Sequence, residues 1–192
     1  MDQNKREEFA RAMLDDVTEA VCATGCRLSL LCTEYYVHNL ADTIVREDGL
    51  NDALNWAFSL AREPVLVIMA DLPLATPDSI RRVLETDSDV AIVPGRGGGT
   101  NVIFMKDPSR FRADYYGASY LDHMKVAEEF GVTVEVIDSF RLSTDVDEKE
   151  DLVELMIHGT GKARRHLESS GFILSIEKGR VGMKRSTHEQ AL

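Results

Sequence analysis

The sequence has 192 residues, of which 44% are hydrophobic and 29% are charged, and it predicts one globular domain over residues 1–185 followed by a disordered tail over 186–192. The net charge of −11 and the isoelectric point near 4.9 exclude nucleic-acid binding through general electrostatics. No apolar run approaches the length of a membrane span and the polar start does not resemble a signal peptide, so we expect a cytoplasmic protein without a membrane partner. The cysteines are odd in number and lack zinc-ligand spacing, so reduced thiols are expected at Cys22, Cys26 and Cys32.

The first part of the chain predicts a helix, two strands and a second helix. Apolar residues recur at helical spacing over residues 9–21, and short apolar runs at 28–32 and 43–45 indicate buried strands. A second helix should occupy residues 49–60. The chain thus begins at a helix, whereas a nucleotide-binding α/β domain usually begins with a strand and a phosphate-binding loop.

An uninterrupted apolar run over residues 65–70 ends abruptly at Asp71. A short, β-branched run flanked by prolines predicts a strand buried on both faces of a parallel sheet. Ligands of such sheets bind at the carboxyl ends of the strands, where a carboxylate can hold a hard cation such as Mg²⁺. The alternative is that Asp71 simply ends the strand and turns into solvent. Thr76 and Pro77 then predict the start of a third helix.

A glycine-rich segment, Gly97-Gly-Gly-Thr-Asn101, joins two predicted strands at 89–94 and 102–105 without room for a helix. Consecutive glycines allow backbone amides to approach an anion, and Thr100 and Asn101 add side-chain donors. A flexible turn explains the three glycines equally well.

A further helix is predicted over residues 119–131, preceded by Tyr116-Gly-Ala-Ser119. The amino end of this helix can bind a phosphate or a carboxylate. Alternatively, Ser119 is an ordinary N-cap. His123 is expected to pack or to cap on this helix and receives no catalytic role.

Two acidic residues, Asp145 and Asp147, follow a predicted strand at 132–137. Asp147 can be explained as the N-cap of the next helix, but Asp145 has no such structural explanation. Together with Asp71, the two carboxylates can surround one or two Mg²⁺ ions that bridge phosphate oxygens.

The alternation of strands and helices predicts an α/β fold, namely a three-layer, Rossmann-like architecture with a mostly parallel central sheet. A late strand at 172–176 follows a helical run at 161–168 and precedes a basic stretch at 179–185. A lone strand needs an edge, either of its own sheet or of a second subunit. We predict a homodimer in which this segment lies at the interface.

The motifs together resemble those of the 2-phospho-L-lactate guanylyltransferases, and the resemblance runs from Lys5 to Arg185. They are, in chain order, Gly49-Leu-Asn-Asp-Ala-Leu54, Met69-Ala-Asp-Leu-Pro73, Gly97-Gly-Gly-Thr-Asn101, Tyr116-Gly-Ala-Ser119 and Thr144-Asp-Val-Asp147. The Ala-Asp-Leu-Pro element identifies only the nucleotidyltransferase superfamily, and the later motifs are more specific. The resemblance implies a fold of the nucleotide-diphospho-sugar transferase type.

The resemblance also implies an activity and a set of site residues. The enzyme would join GMP from GTP to (2S)-2-phospholactate and release pyrophosphate, in biosynthesis of coenzyme F-420. Phosphoenolpyruvate or 3-phosphoglycerate is the acceptor in some members. Catalysis and Mg²⁺ binding would fall to Asp71, Asp145 and Asp147. Substrate binding would fall to Thr100, Asn101, Gly117 and Ser119, and nucleotide binding to Gly49, Leu50 and Asn51.

In this family a strand and a loop bearing lysine and arginine precede the first helix, whereas the present sequence begins at that helix. The loop is expected to bind the triphosphate. Two alternatives remain open from the sequence. One is a nucleotidyltransferase with a molybdopterin or cobinamide phosphate acceptor, and the other is a nucleotide-binding homologue without catalysis.

Overall fold

The computed structural model of the protein describes residues 3–177 and 179–186. The helices are α1 (Gln3–Cys22), α2 (Leu50–Leu60), α3 (Pro77–Leu84), α4 (Ser119–Phe130), α5 (Phe140–Ser143), α6 (Asp151–His158) and α7 (Lys162–Ser169). The strands are β1 (Ser29–Cys32), β2 (Asp42–Val45), β3 (Val65–Ile68), β4 (Val90–Pro94), β5 (Thr100–Met105), β6 (Val134–Val136), β7 (Phe172–Glu177) and β8 (Arg180–Arg185). Residues 187–192 of the predicted tail lie outside the described residues, whereas the N–H of Ser186 donates to the carbonyl oxygen of Gly171 at 2.7 Å.

Four strands form the central sheet in the order β3–β5–β4–β6. β4 and β6 pair in parallel, and β5 lies antiparallel to both β3 and β4, so three of the four strands run in one direction. The reversal of β5 follows from its connection to β4, which has no room for a crossover helix. The predicted α/β fold is confirmed, with one reversed strand inside the sheet.

Helices cover both faces of this sheet and give the predicted three layers. On one face α1 and α3 pack against the sheet through residues such as Val17 and Ile80. On the other face α2 and α4 do so through Phe58 and Val126. Alternate strand residues serve the two faces, since Val93 belongs to the first cluster and the adjacent Ile92 to the second.

The strand that ends near Asp71 is less buried than the sequence predicts. β3 is an edge strand of the four-stranded sheet, and all four of its residues are partly exposed. β1 and β2 form a separate two-stranded parallel sheet. Leu31 of β1 packs in one cluster with Val65 and Val67 of β3. The two sheets therefore meet through side chains, and a continuous apolar run alone did not distinguish an edge strand from a central one.

A third apolar cluster joins the two ends of the chain. It combines Phe9 of α1, Leu155 of α6, Leu167 of α7 and Met183 of β8. β7 pairs antiparallel with β8 to form a hairpin. The late strand thus pairs with the basic stretch that follows it, a partner that the sequence analysis did not consider.

Within the described residues, every helix is too short or too polar to cross a lipid bilayer. The three cysteines are unpaired and partly buried.

Candidate active site

The three predicted carboxylates lie at the carboxyl end of β3. The backbone N–H of Val146 donates to the carbonyl oxygen of Asp71 at 3.0 Å, so the segment 145–147 runs beside the end of this strand. Asp147 and Asp145 both act electrostatically on Asp71. The loop after α5 and the end of β3, far apart in sequence, therefore form one acidic edge.

One oxygen of the Asp71 carboxylate has no hydrogen-bond partner among the described residues. This oxygen, Oδ1, is also buried. Burial raises the pKa of Asp71 above its usual value; a hydrogen bond from its own backbone N–H partly offsets this, and the negative charges of Asp147 and Asp145 raise the pKa further. An ionised carboxylate in such surroundings is unfavourable until a cation binds nearby.

Asp147 does not cap the next helix, so this structural prediction was wrong. α6 begins at Asp151, whose carboxylate accepts hydrogen bonds from the backbone N–H groups of Asp147 at 3.2 Å and Glu148 at 2.8 Å. Desolvation raises the pKa of Asp147, and the charges of Asp145 and Asp151 and a hydrogen bond with Asp145 raise this pKa further. The Asp147 side chain is exposed and remains available to a ligand.

The donor set fits a hard cation, although the side chains as they stand do not enclose one. Among residues 3–177 and 179–186, no three carboxylate, imidazole or thiol groups are close enough to hold one metal ion. Carboxylate oxygens are nevertheless the protein ligands that Mg²⁺ prefers, and Asp71 Oδ1 has no competing partner there. The site therefore fits Mg²⁺ chemically, provided that the Asp145 and Asp147 side chains rotate toward Asp71.

The glycine-rich link closes the β4–β5 hairpin beside this edge. Gly95 N–H donates to the carbonyl oxygen of Gly99 at 2.9 Å, and Gly98 has a φ of 85°, which favours glycine. A Cβ atom at Gly95 would lie 2.5 Å from Asn101 Oδ1. The absence of a side chain at Gly95 thus allows Asn101 to approach the backbone.

Asn101 uses its amide group inside the protein. Its Nδ2 donates to the carbonyl oxygen of Leu142 at 3.0 Å and, at 3.4 Å, to Oδ1 of Asp145. Asn101 is only 5% exposed. Its side chain therefore links β5 to the loop that carries Asp145, and the substrate contact predicted for Asn101 stays a prediction.

Arg96 supplies a positive charge next to the acidic edge. Its Nη2 donates to Oγ1 of Thr144 at 2.8 Å, and its backbone N–H donates to the carbonyl oxygen of Ser143 at 3.3 Å. Within the described chain, Arg96 forms no ion pair. Arg96 was not predicted as a site residue, although its position between two glycines was a signal in the sequence.

The predicted acceptor residues Thr100 and Ser119 meet on the other face of β5. Ser119 Oγ lies 3.4 Å from Thr100 Oγ1, and both residues are buried. Ser119 is the first residue of α4 and does not cap it, because Ala118 occupies the N-cap position. Gly117 precedes it in an exposed turn with a φ of 52°. The structure therefore brings Thr100, Gly117 and Ser119 to one place.

His123 completes this arrangement and was missed as a site residue. Its Nδ1 lies 2.9 Å from Thr100 Oγ1, and its Nε2 accepts a hydrogen bond from the Asp114 N–H at 3.0 Å. The ring is fully buried, as the packing role predicted from the sequence requires. One turn separates it from Ser119 on α4, and this helical spacing was the signal that could have linked it to the acceptor residues.

The predicted nucleotide residues occupy the start of α2. Gly49 is its N-cap, and Leu50 is about half exposed. The Oδ1 of Asn51 accepts a hydrogen bond from the Tyr115 N–H at 2.7 Å. Asn55, one turn later, bonds to both the N–H and the carbonyl oxygen of Ala113. α2 is thereby attached to the segment that leads to Gly117 and Ser119.

The fold defines a class of proteins. A structure described as a nucleotide-diphospho-sugar transferase from Desulfovibrio desulfuricans matches with a TM-score of 0.68, covering 87% of this chain and 84% of that chain at 15% sequence identity. The molecule thus has a Rossmann-like fold of the nucleotide-diphospho-sugar transferase type.

The family itself follows from sequence. Residues 1–188 match the family described as guanylyl transferase CofC like. A 2-phospho-L-lactate guanylyltransferase of Methanoculleus marisnigri is 58% identical over 100% of this chain and 90% of its own length. One from Methanocorpusculum labreanum is 55% identical over 98% of this chain and 89% of its own length. The chain belongs to this family of guanylyl transferases and is a nucleotidyltransferase.

Proposed function

We propose that the protein transfers GMP from GTP to (2S)-2-phospholactate with release of pyrophosphate, as a step in coenzyme F-420 biosynthesis. Relatives at 58% and 55% identity carry the name of this activity. The single structural observation that supports it best is the buried, unpartnered carboxylate oxygen of Asp71 beside Asp145 and Asp147. Molybdopterin and cobinamide phosphate acceptors are not favoured, because the relatives are phospholactate enzymes by name.

The chemistry needs charge neutralisation and positioning more than a protein nucleophile. The acceptor phosphate attacks the α-phosphorus of GTP, and the bond from this phosphorus to the pyrophosphate oxygen breaks. Because the phosphate is already ionised, no general base is required. Asp71, Asp145 and Asp147 would hold Mg²⁺, which supplies a positive charge for the phosphate oxygens.

The remaining residues would orient the two substrates. In our proposal Thr100, Ser119 and the backbone at Gly117 bind the acceptor, while Gly49, Leu50 and Asn51 lie against the nucleoside. The hydrogen bond from Tyr115 N–H to Asn51 supports this division, because it holds the nucleoside segment beside the acceptor segment. Arg96 is available to an anionic substrate on the acidic edge.

A direct assay tests the proposal. The full chain would be incubated with GTP, 2-phospholactate and Mg²⁺, and pyrophosphate and the GMP adduct would be quantified by enzymatic assay and chromatography. We expect both products with GTP, much less with ATP, and none after chelation of the metal by EDTA. Phosphoenolpyruvate and 3-phosphoglycerate in place of 2-phospholactate would define the acceptor. Pyrophosphate release no faster than from an Asp71→Asn variant would contradict the proposal.

Two further features of the setting are part of this proposal. We place the reaction in the cytoplasm, where GTP is available and where the unpaired cysteines of this chain would stay reduced. We also propose that the protein acts as a homodimer through the β7–β8 hairpin, whose exposed apolar residues include Ile176 and Val181.

A further inference from the structure

A fully buried histidine lies directly behind the proposed acceptor site. His123 stacks on Phe111, with ring centroids 5.8 Å apart, and meets Tyr115 edge-on at 4.7 Å. Burial lowers the pKa of His123 to about 4. At physiological pH the ring is therefore neutral, so one of its nitrogens carries a hydrogen and the other has a free lone pair.

The surroundings decide which nitrogen carries the hydrogen. The backbone N–H of Asp114 points at Nε2 at 3.0 Å, and a backbone N–H can only donate. Nε2 must therefore accept, which places the hydrogen on Nδ1. The Nδ1–H then donates to Oγ1 of Thr100 at 2.9 Å.

This tautomer leaves one hydroxyl hydrogen unused. His123, Thr100 and Ser119 together hold three hydrogens, and two contacts, at 2.9 Å and 3.4 Å, join the three groups. Within residues 3–177 and 179–186, Thr100 and Ser119 hydroxyls have no additional side-chain partner. With the opposite tautomer, Nδ1 would accept from Thr100, Thr100 would accept from Ser119, and no hydrogen would remain.

We propose that His123 is a positioning residue that makes the Thr100–Ser119 hydroxyl pair a hydrogen-bond donor to an anionic oxygen of the acceptor substrate. This inference rests on the proposed function, which places a phosphorylated acid at the pair. Carboxylate and phosphate oxygens accept hydrogen bonds, so they need a donor at this position. A pair that presented only lone pairs would repel them.

The tautomer can be measured without any substrate. Long-range ¹H–¹⁵N correlation NMR of the ¹⁵N-histidine-labelled full chain distinguishes a hydrogen on Nδ1 from one on Nε2. We expect the hydrogen on Nδ1, and its resonance should move in a Thr100→Val variant. A hydrogen on Nε2 would overturn the inference whether or not the protein is a guanylyltransferase.

Matched substitutions test the effect on acceptor binding, measured by titration calorimetry with 2-phospholactate and separately with GTP. His123→Asn keeps a donor near the place of Nδ1, whereas His123→Gln keeps an acceptor for Asp114 N–H and loses the donor to Thr100. We expect His123→Gln and Thr100→Val each to weaken 2-phospholactate binding about 10- to 100-fold, the range for a hydrogen bond to a charged group. The double variant His123→Gln, Thr100→Val should bind 2-phospholactate no more weakly than Thr100→Val alone. His123→Asn should stay within about threefold of the wild type, and GTP binding should not change.

The outcomes separate the inference from the proposed function. Additive losses, or equal losses in His123→Asn and His123→Gln, would overturn the positioning role and indicate general damage to the core. A wild-type chain that does not bind 2-phospholactate would contradict the proposed function and this inference with it. Isopropyl phosphate, which lacks the carboxylate, identifies the anionic oxygen. If Thr100→Val still weakens its binding, the pair contacts the phosphate, and otherwise it contacts the carboxylate.

Discussion

The ionised side chain of Asp71 lowers the stability of the folded chain, whereas the proposed catalysis requires it. An aspartate with a buried, unpartnered oxygen beside two other carboxylates is unfavourable in the folded chain. The raised pKa of Asp71 also shows that the charged carboxylate is unfavourable in the folded chain. The folded state binds a proton at this position more readily than the unfolded state, so its contribution to stability falls as the pH rises above the usual value of 3.8.

Replacing Asp71 should therefore separate stability from activity. We expect Asp71→Asn to lower kcat at least about 100-fold, because a metal-bound carboxylate is worth several kcal/mol in the transition state. The melting temperature without metal should stay the same or rise, since an uncompensated buried charge is removed. Differential scanning fluorimetry should show that Mg²⁺ stabilises the wild type and not the variant.

The matched control removes the same charge from an exposed position. Asp78 has a side chain that is 93% exposed and pairs with Arg81. Asp78→Asn should leave both kcat and the response to Mg²⁺ near the wild-type values. A large loss of stability in Asp71→Asn, with unchanged activity, would show that Asp71 is a structural residue.

Only part of the candidate site could be predicted from sequence. Asp71 could be predicted as a site residue because a carboxylate directly after a short apolar strand has a defined place in an α/β sheet. The hydrogen-bond partners of His123 could not be predicted from the sequence, because they depend on how β5 pairs with the neighbouring strands. Pro94 pairs with Thr100 and Val93 with Val102, so one residue, Asn101, is inserted as a bulge.

At the scale of elements, that bulge determines the architecture of the site. Regular alternation would place Thr100 on the same face as Val102, which packs with α1 and α3. The extra residue instead directs Thr100 toward His123 of α4 and Asn101 toward Leu142 and Asp145. One irregular strand end thus serves both the acidic edge and the hydroxyl pair.

Local signals predicted helix ends well where the capping groups are adjacent in sequence. Thr76 and Ser79 form a reciprocal capping box at α3, and Gly131 ends α4 with a φ of 62°. The predicted start of α6 at Asp147 was wrong because residue type alone suggested a cap there, whereas Glu150 is the N-cap and makes no side-chain cap bond. The carboxylate of Asp151 instead accepts from the N–H groups of the turn before the helix.

The start of α7 depends on a side chain from the other end of the protein. Asp16 of α1 is 8% exposed, and its carboxylate accepts from the N–H groups of Lys162 at 2.6 Å and Ala163 at 2.9 Å. A Cβ atom at Gly161 would overlap this carboxylate. No local sequence pattern reveals such a cap.

We therefore expect Asp16→Ala to lower the free energy of unfolding by about 2–4 kcal/mol, because two buried N–H groups lose their acceptor. Urea unfolding followed by circular dichroism measures this change. Glu19→Ala is the control, since the Glu19 carboxylate is about half exposed and pairs with Lys162 Nζ at 2.8 Å. It should cost less than about 1 kcal/mol. Equal losses in the two variants would contradict a capping role for Asp16.

At the scale of the whole molecule, the hairpin of β7 and β8 is incompletely covered by the rest of the described residues. The buried side chain of Met183 attaches β8 to the cluster of α1, α6 and α7. Toward its tip, Ile176 and Val181 face each other across the two strands, and they are 77% and 48% exposed. An isolated two-stranded sheet is marginally stable, and exposed apolar residues on it indicate a binding surface.

A second copy of the chain is the partner that we predict for this surface. Arg180 and Lys184 also lie on β8, on the face opposite Val181 because side chains alternate along a strand, so the hairpin has an apolar face and a positively charged face. In this arrangement the basic residues would approach the acidic edge of the other subunit. The dimer interface could be tested by deleting the hairpin, but a chain that ends at Ser170 would also lose Met183 from the core. A point substitution at the hairpin tip is therefore the better test of the interface.

Ile176→Glu should convert the dimer to a monomer, because it places a charge at the centre of the apolar contact and should weaken association at least about 100-fold. Sedimentation velocity measures the outcome, with a chain mass of 21.4 kDa for the monomer and twice that for the dimer. Leu60→Glu is the control, since Leu60 is 59% exposed at the end of α2, away from the hairpin. It should remain dimeric. A wild-type protein that sediments as a monomer would exclude the dimer, and an Ile176→Glu variant that remains dimeric would place the interface elsewhere on the molecule.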